Sequence, residues 1–176
     1  MDIETVTVEP TYCHRCGAEV GTNTFERREC SWCSECDLYL LRKPIPIVQV
    51  IVHDSNELLL LDEPISWKED KLSLPGGHVH PDEGPRESLL RELYEETTIE
   101  ATSSNLEFVT IYHSESPDRS WYLITYALEL DFDADDLETE ADDFRIEMRS
   151  LNEISANPDL MLPAAFERIQ MYFESE

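Results

Sequence analysis

Three glutamates lie within about one turn of a predicted helix, at a spacing that favours binding of a cation. Glu92, Glu95 and Glu96 are three and four positions apart, so a helix brings their carboxylates onto one face. Each like-charged pair costs roughly 0.2 to 0.5 kcal/mol in an isolated helix, and the negative end of the helix dipole adds to this cost. Mg²⁺ or Mn²⁺ reverses both effects, because hard cations coordinate carboxylate oxygens. The turn therefore predicts a divalent cation site.

The residues around this turn indicate how the helix is held. An apolar stripe beside the carboxylate face would dock the helix on a core. Its members are Leu89, Leu90, Leu93 and Thr97. Pro85 suits the first helical turn. Gly76 and Gly77 precede the helix, where glycine allows a sharp turn or a close approach of the backbone to a ligand.

The spacing of the residues before and within this helix resembles the Nudix box, the signature of the Nudix hydrolases. Five residues separate Gly77 from Glu83, and seven more precede Arg91, which opens the sequence RELYEE. Every charged position of the pattern is filled. The usual proline and glycine precede it as Pro75 and Gly76.

The resemblance implies four ligands for catalytic Mg²⁺ or Mn²⁺. They are the side chains of Glu92, Glu95 and Glu96 and the carbonyl of Gly77. It also implies that Arg91 and Glu83 brace the loop and the helix against each other. Thr98 stands where the family usually has glycine, so we expect the helix to end differently, because β-branched residues disfavour the left-handed conformation. His80 stands where many members carry a glutamate that makes an auxiliary metal or substrate contact.

A solvated acidic surface is the plainer interpretation of these glutamates. The chain has 39 acidic residues among 176, so chance clusters of glutamate are common in it. The fixed spacing of Gly77, Glu83 and Arg91 around them favours the metal site.

The resemblance implies hydrolysis of a nucleoside diphosphate linked to another group, which yields a nucleoside monophosphate and a second phosphorylated product. Mg²⁺ can neutralise and orient the diphosphate and activate the attacking water. A general base must take a proton from that water. In the family this base is a glutamate of the box, here Glu92, or an acid of a later loop, here Glu140, Asp142 or Asp143. Eight acids within residues 131–143 leave this choice open.

Two CxxC pairs near the beginning of the chain predict a second metal site. They are Cys13 with Cys16 and Cys33 with Cys36, sixteen residues apart. This pattern is typical of a zinc ribbon, in which four thiolates close a tetrahedral shell around structural Zn²⁺. Cys30 could pair with Cys33 instead. We prefer Cys36, because Asp37 follows it at the turn position that Gly17 occupies after the first pair.

Disulfide bonds are the alternative use of these cysteines. The odd number of cysteines, five, argues against them, as does an acidic opening, Met1 to Glu4, in place of a secretory leader. We therefore divide the chain into a zinc ribbon at residues 1–43 and a Nudix domain at residues 44–176. About forty residues bury too little surface to fold alone, so the metal would stabilise the ribbon.

Hydrophobic periodicity predicts a mixed α and β domain, and the resemblance implies an α/β/α sandwich with a mixed sheet. The predicted strands cover residues 44–53, 58–61, 72–74, 106–112, 121–130 and 145–149, the last at an edge. A loop covers residues 62–71. A final helix begins near Pro163, with Leu162, Phe166, Ile169 and Phe173 on its core face.

The net charge of −26, with only three lysines, indicates the environment of the protein. Residues 44–176 carry most of it, at −23. Molar salt shortens the screening length to about 3 Å and removes most of the resulting self-repulsion. We therefore expect a halophilic source and a cytoplasmic location. No segment is long and apolar enough to span a membrane, since Pro46 and Gln49 interrupt the longest candidate.

The order of zinc ribbon and Nudix domain is similar to that of the NADH pyrophosphatase group, although the Pro-Trp motif of that group is absent from residues 100–176. We expect a small-molecule nucleotide substrate such as ADP-ribose or NADH, and a possible homodimer. One alternative is a sensor that binds a nucleotide but hydrolyses it poorly, with the ribbon contacting nucleic acid or protein. Nucleic acid is not the expected partner, because basic residues near the cysteines are few. They are Arg15, Arg27, Arg28, Arg42 and Lys43.

Overall fold

A computed structural model of the chain describes residues 1–54, 57–62, 71–117, 119–131, 137–139 and 144–174. The chain divides into two compact units. The first is Met1–Ile45 with His113–Tyr122, and the second is Pro46–Tyr112 with Leu123–Glu176. The boundary between residues 43 and 44 stays a prediction.

The first unit contains a small four-stranded sheet, in the order β1-β4-β3-β2. The strands are β1 Asp2–Val6, β2 Gly21–Phe25, β3 Arg28–Cys33 and β4 Leu38–Arg42. β1 runs parallel to β4, whereas β3 is antiparallel to both of its neighbours. Cys13, Cys33, Leu38 and Leu40 are buried together. This core is small, so the unit depends on other stabilisation.

The second sheet has the order β10-β6-β5-β9-β8, and β7 pairs with β5. Its strands are β5 Ile45–His53, β6 Glu57–Asp62, β7 Gly76–His78, β8 Glu107–Glu115, β9 Ser120–Glu129 and β10 Arg145–Ser150. Five of the six predicted strands are confirmed, and β10 lies at an edge as expected. Most of the predicted loop at 62–71 falls outside the described residues.

The predicted strand at residues 72–74 is wrong. The amide of Leu72 donates to Leu160, and the amide of Ser73 donates to Leu61, so the segment forms isolated bridges to two partners. A continuous ladder needs successive bonds to one partner. The strand lies just downstream instead, where β7 pairs with residues 47–49 of β5.

In the described part of the chain, three α-helices accompany this sheet. They are α1 Pro85–Thr97, α2 Leu151–Ala156 and α3 Pro163–Phe173, with a short 3-10 helix at Pro158–Leu160. The prediction that the last helix begins at Pro163 is confirmed. The sequence analysis missed α2, although Ser150 and Glu153 form a capping box that marks its start. No helix within the described ranges is long and apolar enough to cross a bilayer.

Alternate residues of the central strands belong to two separate cores. Val48, Val50 and Val52 of β5 pack in one core with Leu89 and Leu93 of α1. Ile51 packs in the other core, with Ala165 and Ile169 of α3. Because successive strand residues point to opposite faces, the helices cover both faces of the sheet. The predicted α/β/α sandwich is confirmed.

Candidate metal and substrate site

The start of α1 is fixed by local sequence. The amide of Gly84 donates to the Glu87 carboxylate over 2.8 Å, and Pro85 occupies the first turn. Leu89 and Leu93 are fully buried, which confirms the predicted apolar stripe. The docked stripe sets which face of α1 remains for the glutamates.

The end of α1 departs from our expectation. Thr98 adopts the left-handed conformation, with φ of 57°, so the prediction that the helix ends differently is wrong. Its amide donates to the carbonyl of Tyr94 over 2.8 Å, and its hydroxyl donates to that of Thr97 over 2.7 Å. These hydrogen bonds offset the steric cost of a β-branched residue in this conformation.

Arg91 and Glu83 join α1 to the loop that precedes it. Nε of Arg91 lies 3.0 Å from Oε1 of Glu83, and Nη2 lies 3.1 Å from Oε2. Nη2 also donates to the carbonyl of His78 over 3.4 Å. The pKa of Glu83 lies below its ordinary value. The main cause is its hydrogen bonding to Arg91, and the next is the hydrogen bond from Ser88. Glu83 is therefore ionised at neutral pH.

The two glycines of β7 meet the glutamates of α1. The amide of Gly76 donates to Oε2 of Glu96 over 2.7 Å, and Glu96 is only 9% exposed. A Cβ atom on Gly77 would lie 2.5 Å from the carboxylate carbon of Glu92. Gly76 itself has φ of 140°, and a Cβ atom there would lie 2.1 Å from the carbonyl oxygen of Val48. Glycine is required at position 76, whereas a side chain at position 77 would force the Glu92 carboxylate to move.

The three carboxylates have different partners. Nη1 of Arg91 lies 2.9 Å from Glu92 and 3.2 Å from Glu95, whereas Glu96 is held by the amide of Gly76. Their oxygen atoms do not all lie within 4.8 Å of one another. The donors are nonetheless the hard oxygens that Mg²⁺ and Mn²⁺ prefer. The chemistry of these donors therefore fits a divalent cation, while Glu92 and Glu95 are paired with Arg91 in this structure.

The remaining predicted site residues lie elsewhere or outside the described ranges. Nδ1 of His80 lies 3.8 Å from Oε2 of Glu83, and the ring is half-exposed. The candidate bases Glu140, Asp142 and Asp143 fall outside the described residues. The choice of general base stays open.

The four cysteines converge as the CxxC spacing predicted. The Sγ atoms of Cys13, Cys16, Cys33 and Cys36 all lie within 4.8 Å of one another. The Sγ atoms of Cys16 and Cys33 are 3.6 Å apart, and a tetrahedral Zn–S shell has an edge of about 3.8 Å. Gly17 and Asp37 both have positive φ, 75° and 48°, so the two turns are alike. The arrangement is compatible with a zinc ribbon.

Protonation within the cysteine cluster is uneven. The backbone amide of Cys16 is the main group that lowers the pKa of the Cys13 thiol, to about 6. The neighbouring Cys16 thiol raises the pKa of Cys36 to about 12. Adjacent thiolates repel, so a shared cation is needed for all four to be ionised. Cys30 lies outside the cluster, with its thiol 3.7 Å from the carbonyl of Arg28.

A cavity of about 710 Å³ lies in the first unit, away from the cysteine cluster, with Cys30 in its wall. Its charged lining residues are three acids and three bases: Glu9, Glu26, Glu29, Arg28, Arg42 and Lys43. The balance of charge gives this cavity no strong attraction for a polyanion.

A buried arginine was missed by the sequence analysis. Arg168 of α3 is 1% exposed and lies on the core side of the helix, together with Ala165, Ile169 and Tyr172. Leu162, Phe166 and Phe173, which were predicted on that face, are only partly buried. A charged residue inside an apolar helical pattern is ordinarily assigned to the surface, so periodicity gave no signal for Arg168.

A family model and a curated protein both match this chain. The family model for the NUDIX domain matches residues 43–171. Phosphatase NudJ of Escherichia coli strain K12 is 33% identical over 90 residues, which are 51% of this chain and 57% of NudJ. The chain therefore spans little more than half the length of this curated relative.

Solved structures that resemble the fold include two NUDIX proteins. A NUDIX hydrolase from Nitrosomonas europaea superposes with a TM-score of 0.65 and 24% identity, covering 95% of this chain and 92% of that one. The NUDIX domain of Shewanella oneidensis NrtR, solved with ADP ribose, gives 0.65 at 15% identity, covering 82% and 93%. At these identities the similarity establishes the fold.

Proposed function

The chain belongs to the NUDIX family, and from this premise we propose that it hydrolyses a nucleoside diphosphate linked to another group. Water attacks one phosphorus and the bridging P–O bond breaks, which releases a nucleoside monophosphate and a second phosphorylated product. The proposed ligands of Mg²⁺ or Mn²⁺ are Glu92, Glu95, Glu96 and the carbonyl of Gly77.

The contact between β7 and α1 is the observation that carries this proposal. Gly76 and Glu96 are 20 residues apart in the chain, yet a 2.7 Å hydrogen bond joins them. A side chain at Gly77 would displace the Glu92 carboxylate. A solvated acidic face has no need of glycine backbone packed against its carboxylates, whereas a site for a metal and a diphosphate does.

Each residue of the site has a distinct task in this proposal. Arg91 neutralises the acidic face and holds Glu83, so that the loop carrying Gly77 keeps its place on α1. The bound cation supplies charge neutralisation and a more acidic water. Glu92 is our candidate for the general base within the described residues, with Glu140, Asp142 and Asp143 as alternatives.

Substrates of the ADP-ribose and NADH class are the proposed small-molecule partners. The support is the resemblance of the fold to a NUDIX domain solved with ADP ribose, together with the similarity to a phosphatase. The ribbon at residues 1–43 is proposed to hold structural Zn²⁺, because four thiolates leave no open coordination position.

Hydrolysis by the purified protein with Mg²⁺ in high KCl tests the proposal. The substrates are ADP-ribose, NADH, dinucleoside polyphosphates, nucleotide sugars and nucleoside triphosphates, with products followed by phosphorus NMR. We expect monophosphate from at least one of them. Glu96→Gln should lose at least about 10²-fold in turnover with the fold retained, because the remaining ligands would be misplaced.

Glu100→Gln is the matched control, since Glu100 is exposed and lies just beyond α1. It should keep full activity. Unchanged turnover in Glu96→Gln would contradict the metal assignment. Tight binding of ADP-ribose without turnover by the wild type would favour the sensor instead.

A further inference from the structure

The second unit contains a buried cation that the proposed chemistry does not use. Arg168 donates to Oγ1 of Thr125 and to Oε1 of Gln49, each over 2.7 Å, and to the carbonyl of Ala164 over 2.8 Å. These three acceptors are a hydroxyl, an amide oxygen and a backbone carbonyl, all of them neutral. Burial lowers the pKa of Arg168 to about 10, so the guanidinium is still charged at neutral pH. Burying such a charge is costly, and its neutral hydrogen-bond partners together with the charge of Glu167 offset that cost in part.

Gln49 connects this arginine to the loop before β7. While Oε1 of Gln49 accepts from Arg168, its Nε2 donates to the carbonyl of Leu74 over 3.3 Å. The Arg168 bond therefore decides which way the Gln49 amide points, because only the oxygen can accept. The backbone of Gln49 also pairs with Gly76 across the ladder between β5 and β7. Both contacts fix the segment from Leu74 to Gly76.

That segment ends on the metal site. The amide of Gly76 donates to Oε2 of Glu96 over 2.7 Å. A continuous series of hydrogen bonds and covalent links therefore connects α3 to a carboxylate of α1. The series is Arg168, Gln49, Leu74, Pro75, Gly76 and Glu96.

We propose that Arg168 and Gln49 are positioning residues, which orient Glu96 as a metal ligand through the segment from Leu74 to Gly76. This inference rests on the proposed function. Some residues hydrogen-bond to a metal ligand without touching the metal. Removing such a residue typically lowers metal affinity or activity by about 10- to 100-fold. Neither residue touches the metal or the substrate in this scheme.

Gln49→Glu tests the inference with a nearly isosteric change. The new carboxylate still accepts from Arg168, but it has no N–H group to donate to Leu74. We expect Mn²⁺ affinity, measured from the free-ion EPR signal, to fall about tenfold or more. Hydrogen exchange of the Gly76 amide should become faster. The added negative charge would by itself strengthen cation binding, so a loss cannot be an electrostatic effect of the substitution.

Thr125→Val is the matched control, because it removes a different Arg168 hydrogen bond and leaves the path to Leu74 intact. It should keep the wild-type Mn²⁺ affinity, even where its unfolding temperature falls. Arg168→Lys gives a second measurement, since a single ammonium cannot span both Thr125 and Gln49. It should weaken Mn²⁺ binding.

Wild-type Mn²⁺ affinity in both Gln49→Glu and Arg168→Lys would overturn the inference. Equal losses in Gln49→Glu and Thr125→Val would overturn it too, because they would reflect general destabilisation. Glu96→Gln separates this failure from failure of the proposed function. If that variant also binds Mn²⁺ as the wild type does, the metal site itself is wrong.

Discussion

Arg91 forms ion pairs with carboxylates of α1 and of the loop that precedes it. Its guanidinium contacts Glu83, Glu92 and Glu95 at once, at 2.9 to 3.2 Å. Five N–H donors in a planar fork allow this, whereas lysine offers one point charge. The hydrogen bond to Glu83, followed by that to Glu92, raises the pKa of Arg91 above its ordinary value. The acidic face is therefore compatible with a folded helix.

Gly77 provides the sharpest prediction at this scale. Gly77→Ala places a methyl group about where the Glu92 carboxylate lies, so the carboxylate must move. We expect turnover to fall roughly 10²-fold, because small displacements of a catalytic group have such effects. Steady-state kinetics of the Mg²⁺-dependent hydrolysis will measure it. Gly84→Ala is the control, since its added methyl group has ordinary contacts, 3.4 Å from Glu87. Comparable activity in both variants would refute the role of Gly77.

The end of α1 gives a prediction at the scale of the element. Thr98→Gly should stabilise the protein by about 1 kcal/mol relative to Thr98→Ala, because glycine has no Cβ to strain at φ of 57°. Both variants lose the hydroxyl, so their difference isolates the backbone effect. Denaturant unfolding in high KCl measures it. Equal stabilities would mean that the left-handed turn carries no strain.

The proposed zinc ribbon gives a second prediction for an element. Cys36→Ser should lose most of one bound zinc per chain, because three thiolates no longer close the shell. Elemental analysis of the purified variants will count the metal. Cys30→Ser should keep the full equivalent, since Cys30 lies apart from the four converging sulfur atoms. Zinc loss in Cys30→Ser would show that the assigned ligand set is wrong.

At the scale of the whole molecule, the net charge of −26 leads us to expect that stability depends on salt. We expect the unfolding temperature to rise steeply between about 0.1 M and 2 M KCl, as screening shortens from about 10 Å to below 3 Å. Calorimetric scans at several KCl concentrations will measure this rise.

A triple variant tests whether charge repulsion causes the salt dependence. Glu107→Gln, Glu115→Gln and Glu129→Gln remove three exposed charges. The variant should unfold at a higher temperature than the wild type in dilute buffer and at a similar temperature in high salt. A constant difference at all salt concentrations would point to another cause.

The sequence by itself determined the features that depend on local spacing. Helical periodicity placed Leu89 and Leu93 in the core and the glutamates beside them, and the CxxC spacing selected four converging cysteines. Alternation of apolar residues predicted most strands. These features depend only on residues that are close together in the chain, so sequence periodicity and spacing predict them.

Tertiary structure alone decided which distant groups meet. The bond between Gly76 and Glu96 and the burial of Arg168 against Gln49 both depend on packing between segments that are distant in the chain. Thr98 likewise takes a conformation that its residue type disfavours, because the hydrogen bonds at the helix end outweigh its intrinsic preference. The Gly76–Glu96 and Arg168–Gln49 contacts join residues far apart in sequence, and no local periodicity predicts them.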